Sequence, residues 1–159
     1  MDTLLGLLTQ NARLSDKELA VMAGMTELEV GKKIKEYEKN GVIAGYSAII
    51  NCDLADKDMV TALIEVKVTP KADRGFDDIA ETITAYEEVE GVTLISGAYD
   101  LAVTVCGKSY KEIALFVAQR LSTIEGVLST ATHFYLKRYK EKGLFIAGER
   151  VDERSFIAP

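Results

Sequence analysis

Apolar residues recur at the three- and four-residue spacing of a helix in three segments within the first forty positions. The positions are Leu4, Leu5 and Leu8, then Leu19, Ala20 and Ala23, and finally Val30, Ile34 and Tyr37. Polar residues fill most of the positions between them, as on the solvent face of an amphipathic helix. The pattern therefore predicts three short helices that share one small core.

Start and stop signals separate the second and third of these helices. Ser15 is followed three residues later by Glu18, which completes a capping box. Thr26 and Glu29 repeat the arrangement before the third helix, and Gly24 between them permits a tight turn. Two short capped helices joined in this way are typical of a helix-turn-helix, whose second helix enters the major groove of DNA.

The segment 42–50 is rich in β-forming residues, and Gly45 is placed for a turn. It predicts a small hairpin, which would make residues 1–50 a winged helix-turn-helix domain. The polar, acidic segment 51–58 follows, and we interpret it as a linker.

Strand and helix patterns alternate after the linker. The predicted strands are 60–68, 92–96, 101–106 and 129–137, and the predicted helices are 76–86 and 110–123. The order βαββαβ predicts a ferredoxin-like domain over residues 59–140, so the fold class of the chain is α+β. Residues 141–159 form a C-terminal tail to which we assign no role.

Two further patterns concern this second domain. The tetrapeptides 89–92 and 124–127 (Val-Glu-Gly-Val and Ile-Glu-Gly-Val) each follow a predicted helix, and we expect each to introduce a strand. Both helices should cover one face of the sheet. We expect apolar strand residues to occupy the other face as well, which favours self-association through that face.

Composition narrows the class of protein. No apolar run approaches the roughly 20 residues that span a bilayer, and the N-terminus lacks the basic start of a signal peptide, so a cytoplasmic protein is expected. Two isolated cysteines and one histidine cannot build a structural zinc site alone, and we expect no cofactor.

The net charge of −6 is unevenly spread, because residues 1–50 contribute only −1 of it. In the third helix Lys32, Lys35 and Lys39 form one outer stripe, to which phosphates can bind. The candidate DNA-binding residues are Thr26, Lys32, Lys33, Lys35 and Lys39. Four glutamates balance the four lysines of this helix, and Glu29–Lys33 and Lys32–Glu36 pairs can form, so a self-paired helix that touches no DNA is the alternative.

The loop Gly97-Ala98-Tyr99-Asp100 lies between two predicted strands. Its residues are common in hairpin turns, where glycine supplies an unusual backbone angle. The same residues suit a small-molecule site, since Asp100 can pair with an ammonium group and Tyr99 offers a flat wall and a hydroxyl. The residues alone leave both interpretations open.

The chain resembles the Lrp/AsnC family of bacterial and archaeal transcriptional regulators from about residue 2 to residue 139. The resemblance rests on Asn11-Ala12-Arg13, Ser15, Thr26, Val30, Lys33, Ile34, Glu38, Gly41-Val42-Ile43, Gly45-Tyr46 and Ser96-Gly97-Ala98-Tyr99-Asp100. The family often has arginine where Lys33 stands, and this third helix has none.

The resemblance implies a transcriptional regulator of double-stranded DNA that responds to a small effector, commonly an amino acid. It places the effector between subunits, at the loop of Gly97, Ala98, Tyr99 and Asp100. By their residue types, Thr130 and Thr132 on the last strand can add hydroxyl contacts to such a site, and Gln119 can reach it from a neighbouring subunit. It also implies a homodimer at least, and the family's rings of dimers extend this to an octamer. No membrane partner is expected.

Two other functions compete with this one. The chain can be an effector-binding oligomer without a DNA role, which the neutral third helix favours. It can also be an enzyme similar to the sirohaem decarboxylases, which share the two-unit design. His133 is the one histidine and no nucleophile–base pair has a recognisable spacing, so we expect no enzyme.

Overall fold

A computed structural model describes residues 2–55, 59–69 and 74–146 of the chain. The chain separates into two compact units, Met1–Ile49 and Ile50–Pro159. Each unit has its own hydrophobic core.

The first unit contains the three predicted helices. They are α1 (Thr3–Gln10), α2 (Asp16–Ala23) and α3 (Glu27–Lys39). Leu4, Leu19, Ala20 and Val30 form the buried core. One or two core residues come from each helix, and the apolar positions at helical spacing are those that face inward.

Both predicted capping boxes are present. The Ser15 hydroxyl accepts a hydrogen bond from the Glu18 amide at 3.3 Å, and the Glu18 carboxylate accepts one from the Ser15 amide at 2.8 Å. Thr26 and Glu29 form the same reciprocal pair. Gly24 ends α2 with a φ of 67°, a left-handed conformation that glycine adopts without steric cost. These local signals fix the turn between α2 and α3.

The predicted wing hairpin is absent: no part of 42–50 forms a strand, although every one of these residues is described. A β-ladder needs two segments whose backbone groups meet, and the two halves of this segment do not pair. Tyr46 instead donates a hydrogen bond from its hydroxyl to Glu38 of α3 at 3.1 Å. The predicted linker begins with a short helix, α4 (Cys52–Ala55), and its residues 56–58 lie outside the described part.

The second unit contains a four-stranded antiparallel sheet. The elements in chain order are β1 (Val60–Val68), α5 (Asp77–Thr84), β2 (Val89–Leu94), β3 (Leu101–Gly107), α6 (Tyr110–Phe116) and β4 (Val127–Phe134). The sheet order is β2-β3-β1-β4, with every neighbouring pair antiparallel. This is the predicted βαββαβ arrangement. Strand β3 lies between β1 and β2, the strands of the first βαβ unit, and β1 lies between β3 and β4, the strands of the second.

The second helix of this unit, α6, is shorter than predicted and continues as a different kind of helical turn. The predicted helix 110–123 is an α-helix only to Phe116, and Val117–Leu121 form a π-helical turn. Ser122 donates its amide to the carbonyl of Val117, five residues back, at 2.8 Å. The wider turn keeps Val117 and Leu121 buried together against the sheet.

One face of the sheet carries the core. Ile64 and Val66 of β1 and Val103 and Val105 of β3 are fully buried, beside Ile83 of α5. Full burial of a side chain of this size stabilises a fold by about 1.5–3 kcal/mol. The core therefore lies between the sheet and its two helices.

The expectation that the other face is also apolar is wrong. Because side chains alternate along a strand, the outward residues of the two inner strands can be named. They are Thr61, Leu63, Glu65 and Lys67 of β1, and Ala102, Thr104 and Cys106 of β3. Leu63 is the one large aliphatic side chain among these seven described positions. Self-association stays a prediction, but it no longer rests on an apolar outer face.

The repeated tetrapeptides do not occupy equivalent places. The segment 124–127 leads into β4, which begins at Val127, whereas the whole of 89–92 lies inside β2, because β2 begins at Val89 rather than Val92. The equivalent turns are shifted by three residues. The Val89 amide binds the Tyr86 carbonyl at 3.1 Å, and the Val127 amide binds the Ile124 carbonyl at 3.1 Å. Each edge strand then contains an irregularity in its register one residue later.

The described part of the tail forms a small hairpin of β5 (Lys140–Glu141) and β6 (Leu144–Phe145). Asn51 donates a hydrogen bond from its side chain to the Ile146 carbonyl at 2.9 Å. Residues 147–159 lie outside the described part. No helix in the described ranges is long and apolar enough to cross a bilayer.

Candidate DNA-binding helix and effector loop

Helix α3 presents one ridge directly opposite its buried side. Val30 is fully buried, and Ile34 and Tyr37 pack against the same core. Lys32, Lys35 and Lys39 are exposed, as is Leu28, whose side chain is 69% exposed. At about 100° per residue, these four side chains fall within an arc of about 60° on the opposite face. We call Leu28, Lys32, Lys35 and Lys39 the α3 ridge.

The α3 ridge contains no acidic residue, although the helix as a whole is neutral. The four glutamates of α3 lie on its two flanks, about 70–110° from the centre of the ridge. Two of these carboxylates have partners of their own. Glu29 binds Thr26 in the capping box, and Glu38 accepts the Tyr46 hydroxyl. Helix α3 therefore has no net charge, but its surface is basic along the α3 ridge.

The predicted self-pairing of α3 does not occur. Lys33 binds Asp2 at the start of α1, with an Nζ–Oδ2 distance of 3.1 Å, and not Glu29. No ion pair joins Lys32 to Glu36 in the ranges that the structure covers. The hydrogen bond from Lys33 lowers the pKa of Asp2, and the same contact with Asp2 raises the pKa of Lys33. Lys33 therefore links α1 to α3.

The five predicted DNA-binding residues fall into two groups. Thr26 caps α3 and Lys33 binds Asp2, so both have partners within the first unit. Hydrogen bonds from the Thr26 amide and hydroxyl lower the pKa of Glu29, which keeps the capping box ionised. Lys32, Lys35 and Lys39 form no ion pair among the described residues and are the cations that a phosphate can bind.

The predicted effector loop joins β2 to β3 and is fastened at Asp100. The Asp100 carbonyl accepts a hydrogen bond from the Ile95 amide at 2.7 Å, and the Asp100 amide donates one to the Val66 carbonyl at 3.1 Å. The carboxylate Oδ2 accepts a third from the Val68 amide at 2.9 Å. Asp100 therefore holds the loop against the end of β1.

The Asp100–Val68 hydrogen bond lies at an irregular point of the sheet. The register between β1 and β4 shifts between Lys67 and Val68, where Leu128 is the extra residue on β4. A shift of this kind interrupts the regular ladder of backbone hydrogen bonds. The Asp100 carboxylate gives the Val68 amide an acceptor at this point. A carboxylate can accept several hydrogen bonds, so Asp100 can still accept others besides the one from Val68.

The loop itself is open to solvent. Gly97 and Ala98 are exposed, and Tyr99 is half-buried. The φ of Gly97 is not positive, so the expected need for an unusual backbone angle is wrong. A β-carbon at Gly97 would meet only Ile95 Cγ2, at an ordinary 3.8 Å. Folding therefore does not require glycine at this position.

Within one chain, the structure does not gather all the predicted effector residues. Gln119 is exposed on the π-helical turn. Thr132 is half-buried and pairs with Ile64, four residues from the Val68 that Asp100 contacts. Four residues of strand correspond to about 13 Å. His133 follows Thr132 on β4 and faces the opposite side of the sheet, with its Nε2 3.3 Å from Glu65 Oε1.

Sequence reasoning missed a groove of about 390 Å³ between α5 and the π-helical turn. The Arg120 guanidinium lies 4.3 Å from the Tyr86 ring centroid and forms an ion pair with Glu88. No spacing in the sequence signals this cluster, because its members come from separate elements. The lining residues are Asp78, Ile79, Thr82, Tyr86, Arg120, Thr123, Ile124 and Glu125.

We next consider two kinds of site among the described residues, a metal site and a reactive thiol. The described residues contain no group of three or more His, Cys, Asp or Glu side chains placed to hold a metal ion. Burial raises the pKa of the Cys106 thiol to about 11. Its sulfur lies 3.2 Å from the Thr61 hydroxyl. The thiol is therefore protonated near neutral pH and is a poor nucleophile.

Sequence comparisons match these features to one family. A family model described as the Lrp/AsnC ligand-binding domain matches residues 61–145. The uncharacterised HTH-type transcriptional regulator YugG of Bacillus subtilis is 44% identical over 157 residues, covering 98% of this chain and 95% of that protein. The leucine-responsive regulatory protein of Haemophilus influenzae is 24% identical over 143 residues, covering 90% and 86%.

Solved structures show the same fold. The leucine response regulatory protein of Mycobacterium tuberculosis has a TM-score of 0.75 at 24% identity, over 92% of this chain and 97% of that one. A feast or famine regulatory protein from M. tuberculosis, complexed with L-methionine, has a TM-score of 0.73 at 25% identity, over 91% and 95%. The chain therefore belongs to the Lrp/AsnC family of transcriptional regulators.

Proposed function

We propose that this chain is a DNA-binding transcriptional regulator whose DNA binding or assembly responds to an amino acid. The observation that carries the proposal is the α3 ridge. Its three exposed lysines lie on a capped helix that follows a tight turn, opposite the face that packs into the core. A helix is about 10–12 Å across with its side chains, and the major groove of DNA is about 12 Å wide.

The charge arrangement supports contact with DNA despite the net charge of −6. A duplex meets the ridge and not the whole helix. The glutamates lie to its sides, and two of them are already hydrogen-bonded. Lysine binds phosphate as a point charge, without the bidentate geometry of arginine. Binding should therefore be modest in sequence specificity and steep in its dependence on salt.

The effector half of the proposal rests on the loop at Asp100. Relatives of the family have been solved with L-methionine bound. In this chain the exposed backbone of Gly97 and Ala98 can approach a ligand carboxylate, and the Asp100 carboxylate can pair with its ammonium group. Thr132 lies about 13 Å along the sheet from the Val68 that Asp100 contacts, so a role for it beside this loop needs a second subunit. We assign Gln119 to that second subunit as well. We therefore propose a homodimer at least.

The DNA half is tested by gel retention of labelled genomic fragments at low salt. The proposal expects retention by the full chain and loss of retention by Lys32→Ala/Lys35→Ala/Lys39→Ala. Lys108→Ala/Lys111→Ala, which removes two exposed lysines of the second unit, is the matched control. Equal retention by the full chain and the triple variant, with both folded, would contradict the proposal.

The effector half is tested by thermal denaturation of the full chain in the presence of each standard amino acid. Anything that binds only the folded state raises its thermal midpoint by mass action. The proposal expects a rise with at least one amino acid. A screen of all of them without any rise would remove the amino-acid claim and leave the DNA claim standing.

One observation favours a second function. Helix α3 carries as many glutamates as lysines, so an effector-binding oligomer without a DNA role is the alternative. The two functions differ at low salt, where electrostatic binding to DNA is strongest. An amino-acid thermal shift without retention of any fragment would establish this alternative.

A further inference from the structure

The side chain of Leu28 lies in the first turn of α3 and is 69% exposed. Nothing in the described part of the first unit covers it, because the core contacts of α3 come from Val30, Ile34 and Tyr37 on the other side. Its three companions on the α3 ridge are all lysines. An isolated exposed leucine needs no explanation. Leu28 is not isolated in that sense, because it stands at one end of a line of three cations.

We infer that Leu28 reads thymine, through contact between its side chain and the C5 methyl group in the major groove. This inference rests on the proposed DNA-binding function and adds a specificity residue to it. The first residues of a recognition helix are those that meet base edges, whereas later residues lie nearer the backbone. Thymine is the base that presents a methyl group in that groove, and apolar side chains recognise it.

Charge fixes the orientation of this contact. Lys32, Lys35 and Lys39 follow Leu28 along the same line, one and then two or three turns further on. Phosphates attract the lysines but offer nothing to an aliphatic side chain. When the lysines bind the backbone, Leu28 is therefore the member of the ridge that points at bases. An apolar contact also discriminates without any arginine, which α3 lacks.

The variant for testing this role should fold as the full chain does. Leu28 contributes nothing to the buried core, and alanine is the strongest helix former, so Leu28→Ala should retain α3. The matched control is Val21→Ala, because Val21 is also apolar, is 79% exposed and belongs to α2. Circular dichroism establishes that both variants are folded before any binding is measured.

The experiment first selects duplexes from a random library with the full chain. The most enriched duplex is then synthesised with thymine, and again with deoxyuridine at each thymine in turn. Uracil differs from thymine only by the absence of the methyl group and pairs in the same way. We expect the full chain to bind at least one deoxyuridine duplex about four-fold more weakly, the effect of one buried methyl group. Val21→Ala should show the same weakening.

The decisive comparison is with Leu28→Ala. It should bind the thymine duplex more weakly than the full chain does, and should bind the thymine and deoxyuridine duplexes equally. A full chain that is insensitive to deoxyuridine, or a Leu28→Ala variant that stays equally sensitive, would overturn the inference while DNA binding stands. Retention of DNA without enrichment of any sequence would overturn the inference alone, whereas failure to retain any duplex at low salt would overturn the proposed DNA binding together with it.

Discussion

The carboxylate of Asp100 accepts a hydrogen bond from the backbone amide of Val68 at 2.9 Å, which fixes the β2–β3 loop to the end of β1. The contact joins residues on different strands, at the point where the register with β4 shifts. One side chain thus serves the fold and, in the proposed function, also offers charge to a ligand. Two substitutions separate these roles.

Asp100→Asn should keep stability and lose the response to amino acids. The asparagine side-chain oxygen can still accept from the Val68 amide, but the negative charge that pairs with an ammonium group is gone. Asp100→Ala should lose the response to amino acids as well as stability. Its free energy of unfolding should fall by about 1–3 kcal/mol, because the Val68 amide loses its acceptor. Urea denaturation measures the free energy of unfolding, and thermal shift measures the response to amino acids. A full thermal shift in Asp100→Asn would show that the carboxylate charge does not bind the effector.

Gly97 and Gly126 should respond differently to alanine. A β-carbon at Gly126 would lie 2.8 Å from Ile79 Cδ1, and its φ of 94° is strained for any other residue. Gly126→Ala should therefore lower the free energy of unfolding by about 1–3 kcal/mol. Gly97→Ala should change it by no more than about 0.5 kcal/mol, since neither obstacle exists there. If Gly97 serves close approach of a ligand, its alanine variant should still weaken effector binding, and an unchanged affinity would remove that role.

The capping boxes should make the first unit sensitive to acid. Hydrogen bonds from the Ser15 hydroxyl and amide lower the pKa of Glu18, and those from the Thr26 amide and hydroxyl lower the pKa of Glu29. Because the folded pKa values lie below the ordinary 4.5, the stabilisation is present above that pH. It is lost as the pH falls through the folded pKa values.

The measurement is the thermal midpoint between about pH 6 and pH 3, where depressed carboxyl groups take up protons. The thermal midpoint of Glu18→Gln/Glu29→Gln should fall less on acidification than that of the full chain. Glutamine can accept the same hydrogen bond from the N-cap amide but does not titrate. Glu27→Gln is the control, because Glu27 belongs to α3 and takes no part in either box. Identical acid profiles for all three proteins would contradict the assignment.

Lys33 and Lys35 should differ in their effect on DNA binding. The Lys33 ammonium is held by Asp2 at 3.1 Å, whereas Lys35 belongs to the α3 ridge. Lys35→Gln should weaken binding and lower the slope of log affinity against log salt by about 0.9 for each phosphate that the protein no longer neutralises. Lys33→Gln should leave that slope nearly unchanged. Equal changes in slope for both variants would show that the ridge does not define the contact surface.

The sequence predicts most reliably what is encoded within a few residues. The capping boxes at Ser15 and Thr26 depend on partners three positions away, and both form. Strand β1 has its predicted bounds because Ile64, Val66 and Val68 alternate cleanly with their neighbours on the other face. In these places the local chemistry and the packing agree.

The features that the sequence does not predict depend on distant partners. The hairpin expected at 42–50 has the right residue types but no pairing, and the irregularity at Leu128 hides the true start of β4. The Asp100–Val68 contact spans 32 positions. The placement of Lys33 against Asp2 spans 31, which no helical spacing reveals. Such contacts follow from the three-dimensional arrangement of elements and leave no short-range pattern.

The central claim is that the α3 ridge binds the DNA backbone through its three lysines. The most direct measurement is the salt dependence of binding to the selected duplex, by fluorescence anisotropy, for the full chain and for Lys32→Ala/Lys35→Ala/Lys39→Ala. We predict tight binding at low salt by the full chain, and a slope reduced by about three for each bound subunit in the variant. A folded variant with the affinity and slope of the full chain would contradict the claim.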